Sequence, residues 1–342
     1  MLYYILIFAG TVLLSAVLTW LALKLALKLG ITDKPDQDRK THGRETALLG
    51  GMAVFAAFFI VLYFARRGIL GGNLEPRHWI GFFAGGIFLM IGGFLDDRYN
   101  LKPARQIIWP VLAIASVIAG GVEIEKITGP FGGYFYLGNF SAVLIAFWLL
   151  GMMYTTKLLD GLDGLVSGMT AIGSLVIFLF TMSAKYYQPD ISLAALILAA
   201  ACAGFLFFNW HPAKIFLGEG GSVFLGYALG VLSIISGGKF AVALLVMGMP
   251  ALDAAWTIIR RIISGKNPFK FADREHLHFR LLNLGLGVKK SVLLFYAISI
   301  IFGMSALFLQ SKGKIFALAA LFAIMIFAIS LLAYLDRKRK IV

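Results

Sequence analysis

Five clusters of ionisable and amide side chains punctuate an otherwise apolar chain, and each has a composition suited to phosphate or divalent-cation chemistry. In the first, Arg39, Lys40, His42 and Arg44 supply donors for an anion just ahead of Gly50 and Gly51, whose backbone N–H groups an anion can approach closely. The second places Asp96 and Asp97 at the end of an apolar run, where ionisable groups are costly and mark functional positions. Neighbours on a helix point in different directions, so the two acids are expected to hold different jobs rather than share a proton. In the third, Lys157, Asp160 and Asp163 recur every three residues, which on a helix lines one face, and Gly161 and Gly164 after the acids permit a tight approach. The fourth gathers Asn209, Lys214, Phe216 and Glu219 ahead of Gly220 and Gly221 at the opening of an apolar run. A helix N-terminus there can face an anion, and Glu219 is a hard oxygen ligand of the kind Mg²⁺ takes. The fifth holds His276, His278 and Arg280 among basic neighbours that would repel zinc but suit phosphate.

Taken singly, each cluster also has a plain structural account: a headgroup anchor, a solvated helix end, a turn, an N-cap and a basic loop, in that order. Their coincidence on one side of the chain's elements is what points to chemistry. Carboxylates beside basic groups are balanced when a divalent cation and a polyphosphate are both bound, which is the composition of a phosphoryl-transfer site.

The elements that position these clusters are membrane helices. Of the 342 residues, 60% are hydrophobic and 14% charged, with a mean hydropathy of +0.87. Soluble domains carry about 25% charged residues, so a water-soluble globule is excluded. Windows long and apolar enough to cross the hydrocarbon run over 2–30, 48–65, 78–95, 106–121, 141–158, 165–184, 191–208, 221–236, 240–260, 291–309 and 315–335. The expected architecture is therefore an all-α polytopic membrane protein of about eleven transmembrane helices, a single domain over 1–342. The motif-bearing loops are 31–51, 94–106, 157–165, 209–222 and 261–290. Gly248, Met249 and Pro250 fall mid-window and predict a broken or kinked helix near 248–250. The Gly132-Gly133 step between aromatic runs in 122–140 predicts a short hairpin at the membrane surface. Cys202 is the only cysteine, which excludes an internal disulfide and a Cys-based metal site.

Charge sets the orientation. The net charge of +14 could suggest nucleic acid, but most of the 31 Lys and Arg lie in the motif loops and the basic tail. The other side takes only Arg66, Arg67, Arg77, Lys126, Lys185, Lys239, Lys312 and Lys314. The positive-inside rule then puts the N-terminus outside, the C-terminus in the cytoplasm and all five clusters on the cytoplasmic face. The expected location is a multi-pass inner (plasma) membrane protein.

In this order and topology the clusters resemble those of the polyprenyl-phosphate N-acetylhexosamine-1-phosphate transferases of glycosyltransferase family 4, over roughly residues 30–285. The resemblance implies a phosphotransferase in which the phosphate of a polyprenol, undecaprenyl phosphate in bacteria, attacks the sugar-linked phosphorus of a UDP-sugar and releases UMP. Mg²⁺, or Mn²⁺ in its place, bridges the diphosphate. By position, Asp96 and Asp97 match the aspartate pair that orients or deprotonates the lipid phosphate and supports the metal. Asp160 and Asp163 match the DGxDG carboxylates, the second associated with the nucleoside. Asn209 and Phe216 match the lining of a uridine pocket, Glu219 a metal-binding aspartate, and His276, His278 and Arg280 a histidine loop near the diphosphate and sugar. Arg39, Lys40, His42, Arg44 and Lys157 would contact substrate. The implied partners are polyprenyl phosphate, UDP-sugar and the lipid bilayer, without nucleic acid, and a homodimer is compatible with them.

This chain departs from the family pattern where Glu219 replaces an aspartate, Lys157 an asparagine, Phe279 a histidine, and Glu45 and Ala47 prolines. Glutamate lengthens the ligand, and Mg²⁺ tolerates displaced ligands poorly. Lys157 brings a cation to a metal's place, unless it contacts the diphosphate or pairs with Glu219. Two histidines in the last loop match the GlcNAc-1-phosphate branch better than the phospho-MurNAc-pentapeptide transferases, which carry three in a row. The rival readings are that second branch, a non-catalytic relative that binds UDP-sugar or lipid phosphate, and a transporter. A transporter would concentrate its charges at the membrane midplane, whereas here they sit in loops.

Overall fold

The computed structural model describes residues 1–33, 45–70, 72, 74–128, 133–237, 239–265 and 276–339, the side chains of 311 and 332–339 excepted. The donors expected of Arg39, Lys40, His42 and Arg44 fall outside the described residues. In chain order the helices are α1 Leu2–Leu29, α2 Gly50–Phe64, α3 Arg66–Ile69, α4 Pro76–Tyr99, α5 Pro103–Gln106, α6 Ile108–Ala119 and α7 Phe140–Leu159. There follow α8 Leu165–Met182, α9 Pro189–Asn209, α10 Gly218–Ile235, α11 Phe240–Ile263, α12 Leu277–Asn283, α13 Val288–Phe308 and α14 Ser311–Arg339. Among the described residues, 9 helices are long and apolar enough to cross a membrane, and Gly50–Phe64 and Pro103–Ala119 are shorter apolar helices. These coincide with the eleven expected windows, and the chain is an all-α polytopic membrane protein.

Helix α10 is the hub, packing against α2, α4, α7, α8, α9 and α11. Its glycines let that many neighbours approach. A Cβ on Gly51 of α2 would lie 2.1 Å from the Gly221 Cα, and one on Gly93 of α4 would lie 2.1 Å from the Gly220 Cα. Backbone thus meets backbone where three helices converge, the contact that small residues allow in membrane bundles. Further along, the fully buried Tyr227 donates its hydroxyl to the Phe82 carbonyl at 2.9 Å, tying α10 to α4. Phe58, Phe59 and Phe82 pack edge-to-face around this junction. Gly51→Ala should cost about 1–3 kcal/mol by overpacking, read as a lowered thermal midpoint in detergent. An unchanged midpoint would mean that α2 and α10 can part without penalty.

Two local expectations meet different outcomes. The hairpin forms: β3 (Lys126–Thr128) pairs antiparallel with β4 (Tyr134–Tyr136), and the Lys126 ammonium lies over the Tyr134 and Tyr136 rings. A second small pair joins β1 (Thr32–Asp33) to β2 (Thr46–Ala47). Of the break or kink expected at Pro250, the break does not form, because α11 runs unbroken through it. Proline removes the N–H that the carbonyl four residues earlier would accept, and the Ser299 hydroxyl of α13 donates to that Val246 carbonyl at 2.8 Å instead. A neighbouring helix satisfies the freed group, as membrane bundles commonly arrange.

Candidate active site

A cavity of about 590 Å³ opens where the C-terminal ends of α4 and α7 meet the N-terminal end of α10. Its described lining includes Asp33, Asp96, Asp97, Asp160, Asp163 and Glu219 against the cations Arg98 and Lys157. Asn209 and Phe216 line it as well. Clusters two, three and four, scattered over more than a hundred residues, therefore share one wall.

The two adjacent aspartates turn to different partners. Asp96 Oδ1 accepts the Leu101 N–H at 2.7 Å and the Gln106 amide at 3.1 Å, so it closes the turn after α4. Asp97 Oδ1 accepts the Glu219 N–H at 3.0 Å, in the first turn of α10. One donor of this helix N-terminus is therefore taken by an internal carboxylate rather than left for a substrate anion. Gly218 sits against the same group with φ +73, and a Cβ there would lie 2.4 Å from Asp97 Oδ2. Only glycine satisfies both the left-handed backbone and the contact.

The stripe of Lys157, Asp160 and Asp163 is not helical. Helix α7 ends at Leu159, and α8 starts after Gly164 at φ +78. The three side chains still reach the cavity, because the turn between the helices folds over it. Asp163 Oδ2 is held by His211 Nδ1 at 2.7 Å and by the Ala213 N–H at 3.1 Å. Asp160 lines the cavity among other carboxylates. The surrounding protein, followed by the charges of Glu219, Asp97 and Asp163, pushes its carboxyl up to about 8.

Lys157 does not point freely at a substrate. Its ammonium is 2.7 Å from Glu219 Oε2 and donates to Gln106 Oε1 at 3.1 Å. The two departures from the family pattern thus touch each other, and Gln106 links them to Asp96.

The loop before α10 is built from inside. Asn209 Oδ1 accepts the Gly164 N–H and the Ser167 hydroxyl, both at 3.0 Å, and its amide donates to the Ile215 carbonyl at 3.0 Å. It staples two cavity loops together, leaving one amide hydrogen outside these bonds. Gly50 and Gly51 donate their N–H groups to the Phe216 and Leu217 carbonyls at 3.0 and 2.8 Å. They brace this loop rather than cradle an anion, which corrects the first expectation for them.

His276 and His278 lie behind the cavity wall, and neither they nor Arg280 belong to its described lining, whereas Phe279 does. His276 Nδ1 meets Asp253 Oδ2 at 2.9 Å, and Asp253 Oδ1 accepts the Leu277 N–H at 3.0 Å. His278 is fully buried, neither ring nitrogen hydrogen-bonded among the described residues, its ring stacked on His276 and pressed against Gly161. Burial first, then the charge of His276, lowers its pKa to about 3, with Asp253 opposing. The imidazole is therefore neutral in the folded protein, while an unfolded histidine gains a proton below about 6.5. Stability should be intact above pH 6.5 and fall progressively below it, towards pH 3. Thermal midpoints of wild type and His278→Gln across that window check this, the variant lacking that component of the slope.

Gln106 and Asp253 were not singled out by sequence. Asp253 had a signal, an acid within an apolar window. Gln106 had none, since its role depends on where α5 places it.

Metal donors here are all hard oxygens, and no three His, Cys, Asp or Glu among the described residues form a ready-made cage. Hard carboxylate oxygens are the donor type that Mg²⁺ takes.

Comparison with known proteins decides the family. The glycosyl transferase family 4 pattern matches residues 79–237, the stretch from α4 to the end of α10 that supplies most of the cavity's described lining. A probable undecaprenyl-phosphate N-acetylglucosaminyl 1-phosphate transferase of Bacillus subtilis (strain 168) is 31% identical over 328 residues, covering 94% of this chain and 88% of the relative. The chain belongs to glycosyl transferase family 4. An undecaprenyl-phosphate alpha-N-acetylglucosaminyl 1-phosphate transferase of Thermotoga maritima is 31% identical over 297 residues, covering 86% of this chain and 87% of the relative. A phospho-N-acetylmuramoyl-pentapeptide-transferase of Oceanobacillus iheyensis is 30% identical over 336 residues, covering 89% of this chain and 95% of the relative. As a family 4 transferase and a multi-pass membrane protein, the chain brings its acids together at helix ends that converge on α10.

Proposed function

We propose that this protein transfers GlcNAc-1-phosphate from UDP-GlcNAc to a polyprenyl phosphate and releases UMP. The observation that carries the reading is Asp97, docked on the α10 N-terminus and lining the cavity, where the described residues set six carboxylates against two cations. The names of the relatives from Bacillus subtilis and Thermotoga maritima support the reaction and the sugar.

An oxygen of the lipid phosphate attacks the sugar-linked phosphorus, the bond from that phosphorus to the bridging oxygen breaks, and UMP leaves with that oxygen. Asp97 takes the proton of the lipid phosphate or orients its oxygen. Asp96 acts as a positioning residue, since its Oδ1 closes the turn that aims Asp97. Asp163, held by His211, shapes the loop beside the nucleoside, and Phe216 offers a ring to the uracil. Asp160, which lines the cavity, would hold Mg²⁺, while Lys157 draws Glu219 aside. When bound, the metal offsets phosphate charge in the transition state.

Purified protein in nanodiscs, given polyprenyl phosphate, labelled UDP-GlcNAc and MgCl₂, should yield UMP and a lipid-linked sugar. UDP-MurNAc-pentapeptide in its place should not. Turnover of the latter alone would move the protein to the other branch. UDP-sugar binding with no UMP from either would favour the binding-only reading, which the Lys157–Glu219 ion pair motivates.

The active face is assigned to the cytoplasm, on the strength of the loop cations. Cysteines placed at Ser264 and Gly313 in a Cys202→Ala background should label from opposite sides, Ser264 from the cytoplasm only. Labelling from one side would refute the helix count between them.

A further inference from the structure

At the end of the bundle remote from the cavity, three lysines converge on one aromatic pair. Phe180 and Tyr186 stack with centroids 4.4 Å apart. The Lys314 ammonium lies 4.3 Å from the Phe180 centroid and 5.9 Å from that of Tyr186. Lys239 lies 4.7 Å from Tyr186 and 5.7 Å from Phe180, and Lys185 lies 5.5 Å from Tyr186. Lys314 is only 8% exposed, and no carboxylate among the described residues pairs with any of the three. Burial alone holds Lys239 below the usual lysine range.

Ring faces attract each ammonium by about 0.5–2 kcal/mol, but they do nothing about the repulsion among three like charges in a half-dry setting. Such a cluster is relieved by an anion that several ammonium groups can share. Its depth indicates where that anion comes from. Helices α8 and α10 both run from the cavity to this cluster in 18 residues. At 1.5 Å per residue that is about 27 Å, close to the hydrocarbon thickness of about 30 Å. The cluster therefore sits at the level of the headgroups of the opposite leaflet. It also collects three of the few cations on that side.

We propose that Lys185, Lys239 and Lys314 form a phosphate-binding site on the face opposite the active site, for the phosphate of an anionic lipid headgroup or a phosphate-bearing solute. A phosphate offers several acceptor oxygens and can bridge three ammonium donors through charge-assisted hydrogen bonds. The site is independent of the transfer reaction.

The test uses the full chain in phosphatidylcholine nanodiscs, with phosphatidylglycerol titrated into the bilayer in one arm and inorganic phosphate into the buffer in the other. A ligand that binds only the folded state raises the thermal midpoint with concentration. Phosphatidylglycerol is expected to raise it, and to remain bound in native mass spectrometry. A rise with inorganic phosphate alone would assign the site to a solute. Lys314→Met keeps the apolar stem and removes the charge. It should weaken the effective ligand by about tenfold or more, the scale of one charge-assisted hydrogen bond, while the midpoint without ligand stays the same or rises. Lys185→Gln, at an exposed position, should weaken binding without touching the core. The proposal is overturned if neither arm shifts the wild-type midpoint, or if both variants respond as wild type does. A Lys314→Met protein that loses stability without ligand and keeps its ligand response would equally refute it, leaving the lysines as packing elements.

Discussion

Asp97→Asn should lower the turnover number by about 10²–10⁴, the range for loss of a positioned acid or base, with no comparable loss of folding. Asparagine keeps an oxygen acceptor of the same shape, so the 3.0 Å hydrogen bond from the Glu219 N–H can persist and α10 stays docked on α4. What disappears is the negative charge at the cavity beside Gly218. Activity is read as UMP released per enzyme, and folding as thermal midpoint and monodispersity. A variant that retains near-wild-type turnover would reduce the aspartate to a helix-docking group and raise the binding-only reading. Asp97→Ala is the less informative change, because it also strands the Glu219 N–H and mixes a structural loss into the kinetic one.

The second large effect concerns Lys157 and Glu219, which are 2.7 Å apart, with Lys157 also bonded to the Gln106 that holds Asp96. The family resemblance has asparagine and aspartate at these two positions. Lys157→Asn alone would leave Glu219 facing a wall of carboxylates without its ion-pair partner. Glu219→Asp alone would shorten the acid and leave the ammonium reaching across a gap. Each single change should depress kcat/KM, and the double change, which rebuilds the usual pairing, should recover much of the loss. Both side chains are partly exposed, so water screens the pair and its contribution to stability is small. Coupling in contacting charged pairs still reaches about 0.5–3 kcal/mol, which a double-mutant cycle on kcat/KM and on Mg²⁺ dependence resolves. Additive losses would show that the residues act separately. Activity confined to the double variant would identify the parent as a binding protein whose site the lysine has closed.

Sequence alone sufficed for the number and type of the long apolar elements. Crossing hydrocarbon requires about 20 apolar residues with every backbone group bonded internally, so composition and window length dictate helices irrespective of what they pack against. The hairpin over 126–136 was likewise legible, because turn glycines and aromatic strands are local signals. The acids of the cavity were legible as types, since Asp96, Asp97, Asp160 and Glu219 are expensive at helix ends in a membrane unless they serve a purpose.

Tertiary structure decided what each of those groups does. The N–H groups of Gly50, Gly51 and Glu219 looked open to an anion, but they are filled by the Phe216 and Leu217 carbonyls and by Asp97, all distant in sequence. The run from Lys157 to Asp163 has helical spacing, yet Asp160 and Gly164 end one helix and begin another, so the three charges meet through a turn. The Pro250 break was cancelled by a hydroxyl from α13. The His276 and His278 pair, which the motif placed at the substrate, packs behind the wall on Asp253. Spacing along a chain encodes periodicity and composition, whereas the partner of a hydrogen-bonding group is chosen by whichever element packs nearest. In this protein that choice is made where glycines of α2, α4 and α10 let three backbones touch.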